Sequence, residues 1–336
     1  MIQVTAAGRA GIIGNPTDGY GGTLISCSIK NRAVTTIEDN DVLLIKNSFG
    51  EVVLRWENDF ENKGDYFDIA RSVLRHLKAY DLKAKITTQS NIPVQAGLSG
   101  STAILSSTLS AVLAYMGKKV NRYQLAEINR DIELNYMKCQ CGYQDAYMTT
   151  FGGLNYLDFR GKEYYKEWQK EQYATVENIS QYVDKLPFVI AHTGIKHNSG
   201  SFHRPLRERW LEGEATVVNG YREIAEIARE GKKALINQDW NELAYLMNKN
   251  HEIQDNLADS GQQNRYMIKV AKENGALAAK LAGAGGGGTI IALTLDPERV
   301  KKALIAAGAE EFVDLDPTFP GVTVKTKNKE RSEIVS

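Results

Sequence analysis

Over roughly the first sixty positions the apolar residues come in short runs broken by turn-formers. "ISCSI", "RAVTTI", "DVLLI" and "EVVLRW" are rich in β-branched residues and are separated by stretches such as "DND" and "NSFG", a pattern that predicts strands. From about Tyr66 to Tyr80 the period changes, with Ile69, Val73, Leu74 and Leu77 on one helical face. A further strand, "AKITTQ", follows. Then "NIPVQAGLSGSTAI", Asn91 to Ile104, leads into a second helix with apolar positions at Leu105, Leu109, Val112 and Leu113. Helical spacing returns over Gln124 to Met137, and "GGLNYLDF" reads as a turn and a strand.

Between about Arg160 and Leu186 the chain is charged, Tyr-rich and weakly periodic, as a domain boundary is. Beyond it, "PFVIAHTG" predicts a strand running into a loop. The region from His203 to Gly275 is mostly helical, with Trp210, Val217, Val218, Tyr221 and Ile224 at helical spacing. "ALAAKLAGAGGGGTIIALTL" gives strand, glycine loop and strand, and a helix near Pro297–Ala306 and two short strands follow. Strands before helices in each half imply two α+β domains. The length of 336 residues suits that number, at roughly 100–200 residues per domain. Residues 327–336 read as a disordered tail.

Composition narrows the class. The 41 basic and 41 acidic side chains leave no formal net charge, which removes the global electrostatic footprint of a nucleic-acid binder. No apolar run reaches the ~18–20 residues that cross a bilayer, and "MIQVTAAGRAG" lacks the basic region and apolar run of a signal peptide. Three cysteines are too few for a disulfide framework. "CQC", Cys139 to Cys141, reads as ordinary thiols, since the five histidines are scattered and supply no metal-ligand spacing. A cytoplasmic protein without membrane or nucleic-acid partners is the expectation.

Three glycine-rich segments hold the candidate chemistry. The loop at Gly97 to Ser101 opens a helix, whose free N–H groups and partial positive charge attract phosphate. Small residues there let backbone approach an anion, and Ser99, Ser101 and Thr102 add hydroxyls; a plain serine-capped helix has the same sequence signature. It is not a Walker A loop, since no GK[ST] follows. "GAGGGG", Gly283 to Gly288, spends more chain entropy than a turn requires and points to close approach of backbone to a ligand or another loop. "AAGRAGIIGNPTDGYGG", Ala6 to Gly22, places Arg9, Asn15, Asp18 and Tyr20 on one segment whose Asn-Pro and Asp-Gly pairs also suit a solvated turn.

Taken together, "GRAGIIGNPTDGYGG", "IPVQAGLSGSTA" and "KLAGAGGGG" resemble, in order and spacing, the three motifs of the GHMP kinase superfamily. The likeness runs from about Ile2 to Val324. Gly100 stands where the family usually has its first serine, and Ser101 keeps the second. "IELNYMKCQCGYQDAYMTTFGGLNYLDF", Ile132 to Phe159, is similar to the heptose-7-phosphate kinases, while "GNPTD" is closer to glucuronokinase. The resemblance implies a two-domain α+β fold, with a ribosomal-protein-S5-like N-terminal domain at 1–175 and a ferredoxin-like C-terminal domain at 176–326. It also implies a monomer or homodimer.

The resemblance further implies an ATP- and Mg²⁺-dependent kinase that phosphorylates a sugar or sugar acid, at the anomeric hydroxyl. Pro93, Ala96, Gly97, Leu98, Ser99, Gly100, Ser101 and Thr102 are then expected to bind nucleotide, with Ser101 and Glu133 holding Mg²⁺. Asp145 is the expected proton acceptor and Arg9 its cationic partner. Asn15, Asp18, Tyr20 and Gly285, with Asp145, are the expected acceptor contacts, and the loop bearing Lys196, His197, His203 and Arg204 is either a site for an anionic group or a solvated basic loop. Mevalonate-type kinases share the three motifs, and some members bind sugar and ATP only as sensors, so both remain alternatives.

Overall fold

The computed structural model describes residues 1–162, 170–195, 206–283 and 288–326. The first sheet is built from β1 (Ile2–Ile13), β2 (Thr23–Asp39), β3 (Leu43–Asn47), β4 (Gly50–Leu54), β5 (Ala84–Ser90), β6 (Leu154–Asp158) and β7 (Thr175–Asn178). The two runs "ISCSI" and "RAVTTI" form one continuous strand, β2, rather than two. β3 runs parallel to β5 and the other pairings are antiparallel. Helices α1 (Asp68–Leu77), α2 (Gly100–Tyr115), α3 (Arg122–Asp131) and α4 (Gln144–Phe151) accompany this sheet.

α2 is apolar nearly all round, as a helix enclosed on every side must be, yet it carries Ser106, Ser107 and Thr108 in full burial. Each finds a hydroxyl partner. Ser107 Oγ lies 2.8 Å from Thr35 Oγ1 on β2, with Thr108 Oγ1 at 3.2 Å, and Ser106 Oγ lies 2.7 Å from Thr149 Oγ1 on α4. A buried hydroxyl without a partner costs about 1–3 kcal/mol, so these pairs fix how α2 and α4 sit on the sheet.

The second sheet has the order β11–β8–β10–β9, from β8 (Phe188–His192), β9 (Ala276–Leu281), β10 (Thr289–Thr294) and β11 (Glu311–Val313). Helices α5 (Ala215–Ile236), α6 (Trp240–Leu257), α7 (Gln262–Glu273) and α8 (Pro297–Ala306) pack around it. Alternation along β10 separates two cores. Ile290 and Ala292 join Met267, Val300 and Leu304, whereas Ile291 and Leu293 join the main core with Leu235, Leu243 and residues of the first sheet. The halves therefore share apolar interior, and the three glycine-rich segments meet at this junction. β12 (Thr323–Thr326) then returns to pair antiparallel with β1 in the first sheet. Together these elements form a two-domain fold of mixed helices and sheets. Among the described residues no helix is long and apolar enough to cross a membrane.

Candidate active site

The first motif is the end of strand β1 and the buried turn behind it, not a solvated turn: Asn15, Thr17 and Asp18 are all buried. The register of β1 against β2 shifts between Ala7 and Arg9, an irregularity that re-aims a side chain. A Cβ at Gly8 would lie 2.5 Å from the carbonyl oxygen of Leu98, so only glycine admits the phosphate-loop candidate this close to β1. Arg9 uses the approach fully. Its amide donates to Leu98 O at 3.1 Å, its Nη1 donates to Gly97 O at 2.7 Å, and its Nε donates to Asp145 Oδ1 at 2.7 Å, with Nη2 against the same oxygen.

A third carbonyl of the loop, that of Ala96, accepts Thr289 Oγ1 at 2.8 Å. Three successive carbonyls, Ala96, Gly97 and Leu98, are thus pinned by protein donors from both sheets. The amides of the same stretch are free: among the described residues those of Gly97 to Thr102 donate to no acceptor, and the first amide of the helix to bond is Ala103, to Ser99 O. Gln95, Gly97 and Ser99 all have positive φ. Ser99 makes no side-chain cap bond and among the described residues its buried Oγ has no partner, which separates this helix start from an ordinary serine cap. Leu98 and Ala96 anchor the loop in the core, Pro93 is half-buried beside it, and Gly100 and the exposed Ser101 open the helix. Free N–H groups over a helix N-terminus make an anion-binding surface.

Glu133 sits in a π-helical turn, Ile132–Tyr136, that continues α3, an irregularity frequent at functional sites. Its carboxylate is buried and accepts Thr102 Oγ1 at 2.6 Å and the Cys141 thiol. Burial, with the nearby Asp145 charge, pushes its pKa up to about 7. Burial and Glu133 likewise raise Cys141 well above the usual thiol value, so it is an inert partner, not a nucleophile. A buried carboxylate and an adjacent hydroxyl are hard oxygen donors that suit a magnesium ion, which would also offset the part of the Glu133 burial that Thr102, Cys141 and Arg130 leave uncompensated.

Asp18 and Asn15 have partners within the protein. Asp18 Oδ2 accepts the amides of Tyr143 at 2.7 Å and Gln144 at 2.9 Å at the start of α4, and Oδ1 takes no hydrogen bond among the described residues. Asn15 Oδ1 accepts Lys280 Nζ at 2.7 Å, and Asn15 Nδ2 donates to Gly283 O at 2.9 Å. Tyr20 stacks on Tyr221 at 4.5 Å between ring centroids, with Trp210 at 5.2 Å. Lys280 is fully buried; loss of hydration and the Arg9 charge lower its pKa to about 7. Lys280 and Thr289 flank the third glycine loop, and in the sequence the glycines between them masked both. Gly285, and Lys196, His197, His203 and Arg204, lie outside the described residues.

A loop with free amides, a neighbouring carboxylate and a cation touching both form one cluster. Residues 67–153 match the family model "GHMP kinases N terminal domain" and residues 232–313 match "GHMP kinases C terminal". The chain belongs to the GHMP kinases. It is 32% identical over 318 residues to "Probable glucuronokinase 2" of Arabidopsis thaliana, covering 87% of this chain and 84% of that protein. Among solved structures, a D-glycero-D-manno-heptose 1-phosphate kinase from Bacteriodes thetaiotaomicron superposes with a TM-score of 0.71 at 20% identity, covering 98% of this chain and 100% of that one. Galactokinase from Lactococcus lactis, complexed with galactose, gives 0.78 at 17% identity over 96% of this chain and 95% of that one.

Proposed function

We propose that this chain is an ATP-dependent kinase that phosphorylates a sugar or sugar acid at its anomeric C1 hydroxyl. The observation that carries the reading is the double grip of Arg9 on Asp145 and on the Gly97 carbonyl, which ties the proton acceptor to the loop that would hold the phosphates. The relationship to a glucuronokinase, and the fold shared with heptose and galactose kinases, support a sugar as acceptor. In this reading residues 1–175 bind the nucleotide and 176–326 form the C-terminal domain, with β12 returned to the first sheet.

The triphosphate rests on the free amides of Gly97 to Thr102. The acceptor hydroxyl oxygen forms a bond to the γ-phosphorus while its proton passes to Asp145, and the bond from that phosphorus to the bridging oxygen breaks to release ADP. Arg9 holds the Asp145 carboxylate in place and offsets negative charge on the transferring group. Ser101 and Glu133 would hold Mg²⁺, which when bound neutralises phosphate charge. Asp18 Oδ1 and Tyr20 face the acceptor, whereas Asn15, with its amide already engaged, shapes the wall from behind through Gly283.

A panel of glucuronate, galactose, heptose 7-phosphate and mevalonate, assayed for ADP release with phosphorus NMR of the product, tests this reading. An anomeric phosphate from one of the sugars is the expected result. Turnover with mevalonate alone replaces the sugar assignment with an isoprenoid-pathway kinase, and binding of ATP and sugar without turnover replaces the enzyme with a sensor.

A further inference from the structure

Two features remain unexplained by the phosphoryl-transfer reading: what fixes the start of α4, and why position 142 is glycine. Tyr143, the residue at the helix boundary, supplies no side-chain cap. The cap comes instead from Asp18, which lies far upstream in the first motif and takes the amides of Tyr143 and Gln144 on a single oxygen, Oδ2. These are the two residues immediately before Asp145. A carboxylate suits this place, since a helix start carries partial positive charge.

Gly142 is the other half of the arrangement. A Cβ there would stand 1.9 Å from Asp18 Oδ2, 2.6 Å from Asp18 Cγ and 3.0 Å from Asp18 Oδ1, and these are its three nearest atoms. Gly142 is absent from the residues with left-handed φ, so its backbone accepts alanine and the obstacle is the Asp18 carboxylate itself. The glycine of "GYQD" and the aspartate of "GNPTD" are thus one device.

We infer that Asp18 is a positioning residue for Asp145, acting through the α4 cap that Gly142 makes room for. The consequence for turnover rests on the kinase reading; the cap itself does not.

Gly142→Ala probes the cap without removing a functional group, because the added methyl displaces the Asp18 carboxylate from the amides of Tyr143 and Gln144. A displacement of this size at the start of α4 is expected to lower kcat by ~10–100-fold, with KM for ATP within about threefold because Gly97 to Thr102 are untouched. In the Asp18→Ala background the overlap is gone, so Asp18→Ala/Gly142→Ala should have the same kcat as Asp18→Ala. A Gly142→Ala enzyme within about threefold of wild-type kcat, or a cost that persists in the Asp18→Ala background, overturns the inference. Should Gly142→Ala fail to fold, recovery of folding in the double variant supports the overlap and continued failure overturns it. Amide hydrogen exchange at Tyr143 and Gln144 reads the cap without turnover. Exchange faster by about tenfold or more in Asp18→Ala supports it, and unchanged exchange overturns it even if no acceptor is ever phosphorylated.

Discussion

Arg9 Nε lies 2.7 Å from Asp145 Oδ1, although the two residues come from the first strand and from a short helix 136 positions later. The same guanidinium reaches the Gly97 carbonyl, so one cation sets the distance between the carboxylate and the loop at Gly97 to Ser101. Asp145→Asn removes the proposed proton acceptor and keeps the shape. Turnover should fall at least ~10²-fold while nucleotide binding, measured by calorimetry, persists. Near-wild-type turnover would remove Asp145 from the chemistry.

Arg9→Lys preserves charge but not the fork that spans two acceptors. Lysine can satisfy Asp145 or Gly97 O, not both in this geometry. We expect kcat to fall by ~10-fold or more and KM for ATP to rise, on the general cost of misplaced catalytic groups; a change in neither would mean that the bridge is incidental.

Glu133→Gln keeps an acceptor for Thr102 but lacks the charge that a divalent ion needs. The Mg²⁺ concentration for half-maximal rate should rise by ~10-fold or more. Without metal, the folded protein has a second readout. Glu133 titrates near 7 when folded against an ordinary value of 4.5, so the native state holds its proton longer. Stability from this group is present below pH 4.5 and is lost as pH rises through 7. Melting curves of metal-free wild type should decline relative to Glu133→Gln across that window, and parallel curves would count against the burial argument.

Lys280 runs in the opposite direction. Its folded value of about 7 lies below the ordinary 10.5, so stability is fully present above 10.5 and is lost as pH falls through 7. The charged groups that bear on it are Arg9 and His251, and burial, then Lys280 itself, holds His251 down to about 4, neutral throughout this range. The stability of wild type relative to Lys280→Met should therefore grow between pH 7 and 10 in denaturant titrations. A difference that does not change with pH would refute the assignment.

Much of the fold is legible in the sequence. The helix at 297–306 and the strands around "GAGGGG" follow from local pattern, because period is a local property. Arg9 with Asp145 was expected only from the family likeness; no residue pattern links positions so far apart. What escaped notice was tertiary in origin. Thr289 looks like any strand threonine until Ala96 lies beside it. Asp18 reads as a turn residue or an acceptor contact, and its cap on α4 exists only once the first motif packs beneath Gly142. The break expected within β2 does not occur although "KN" falls at the register shift against β1; there Lys30 N donates to Asp314 O at 2.8 Å and Ile29 bridges Leu315, and such distant contacts override local turn preference.

The return of β12 to β1 has a consequence for biosynthesis. Val4 pairs with Val324 and Thr5 with Thr323, so the strand bearing Arg9 waits for Thr323–Thr326, more than 300 positions downstream, to leave the ribosome before its outer edge is covered. Until then that edge is a bare template for pairing with other nascent chains, and a shortened form ending before Thr323 would carry the hazard permanently.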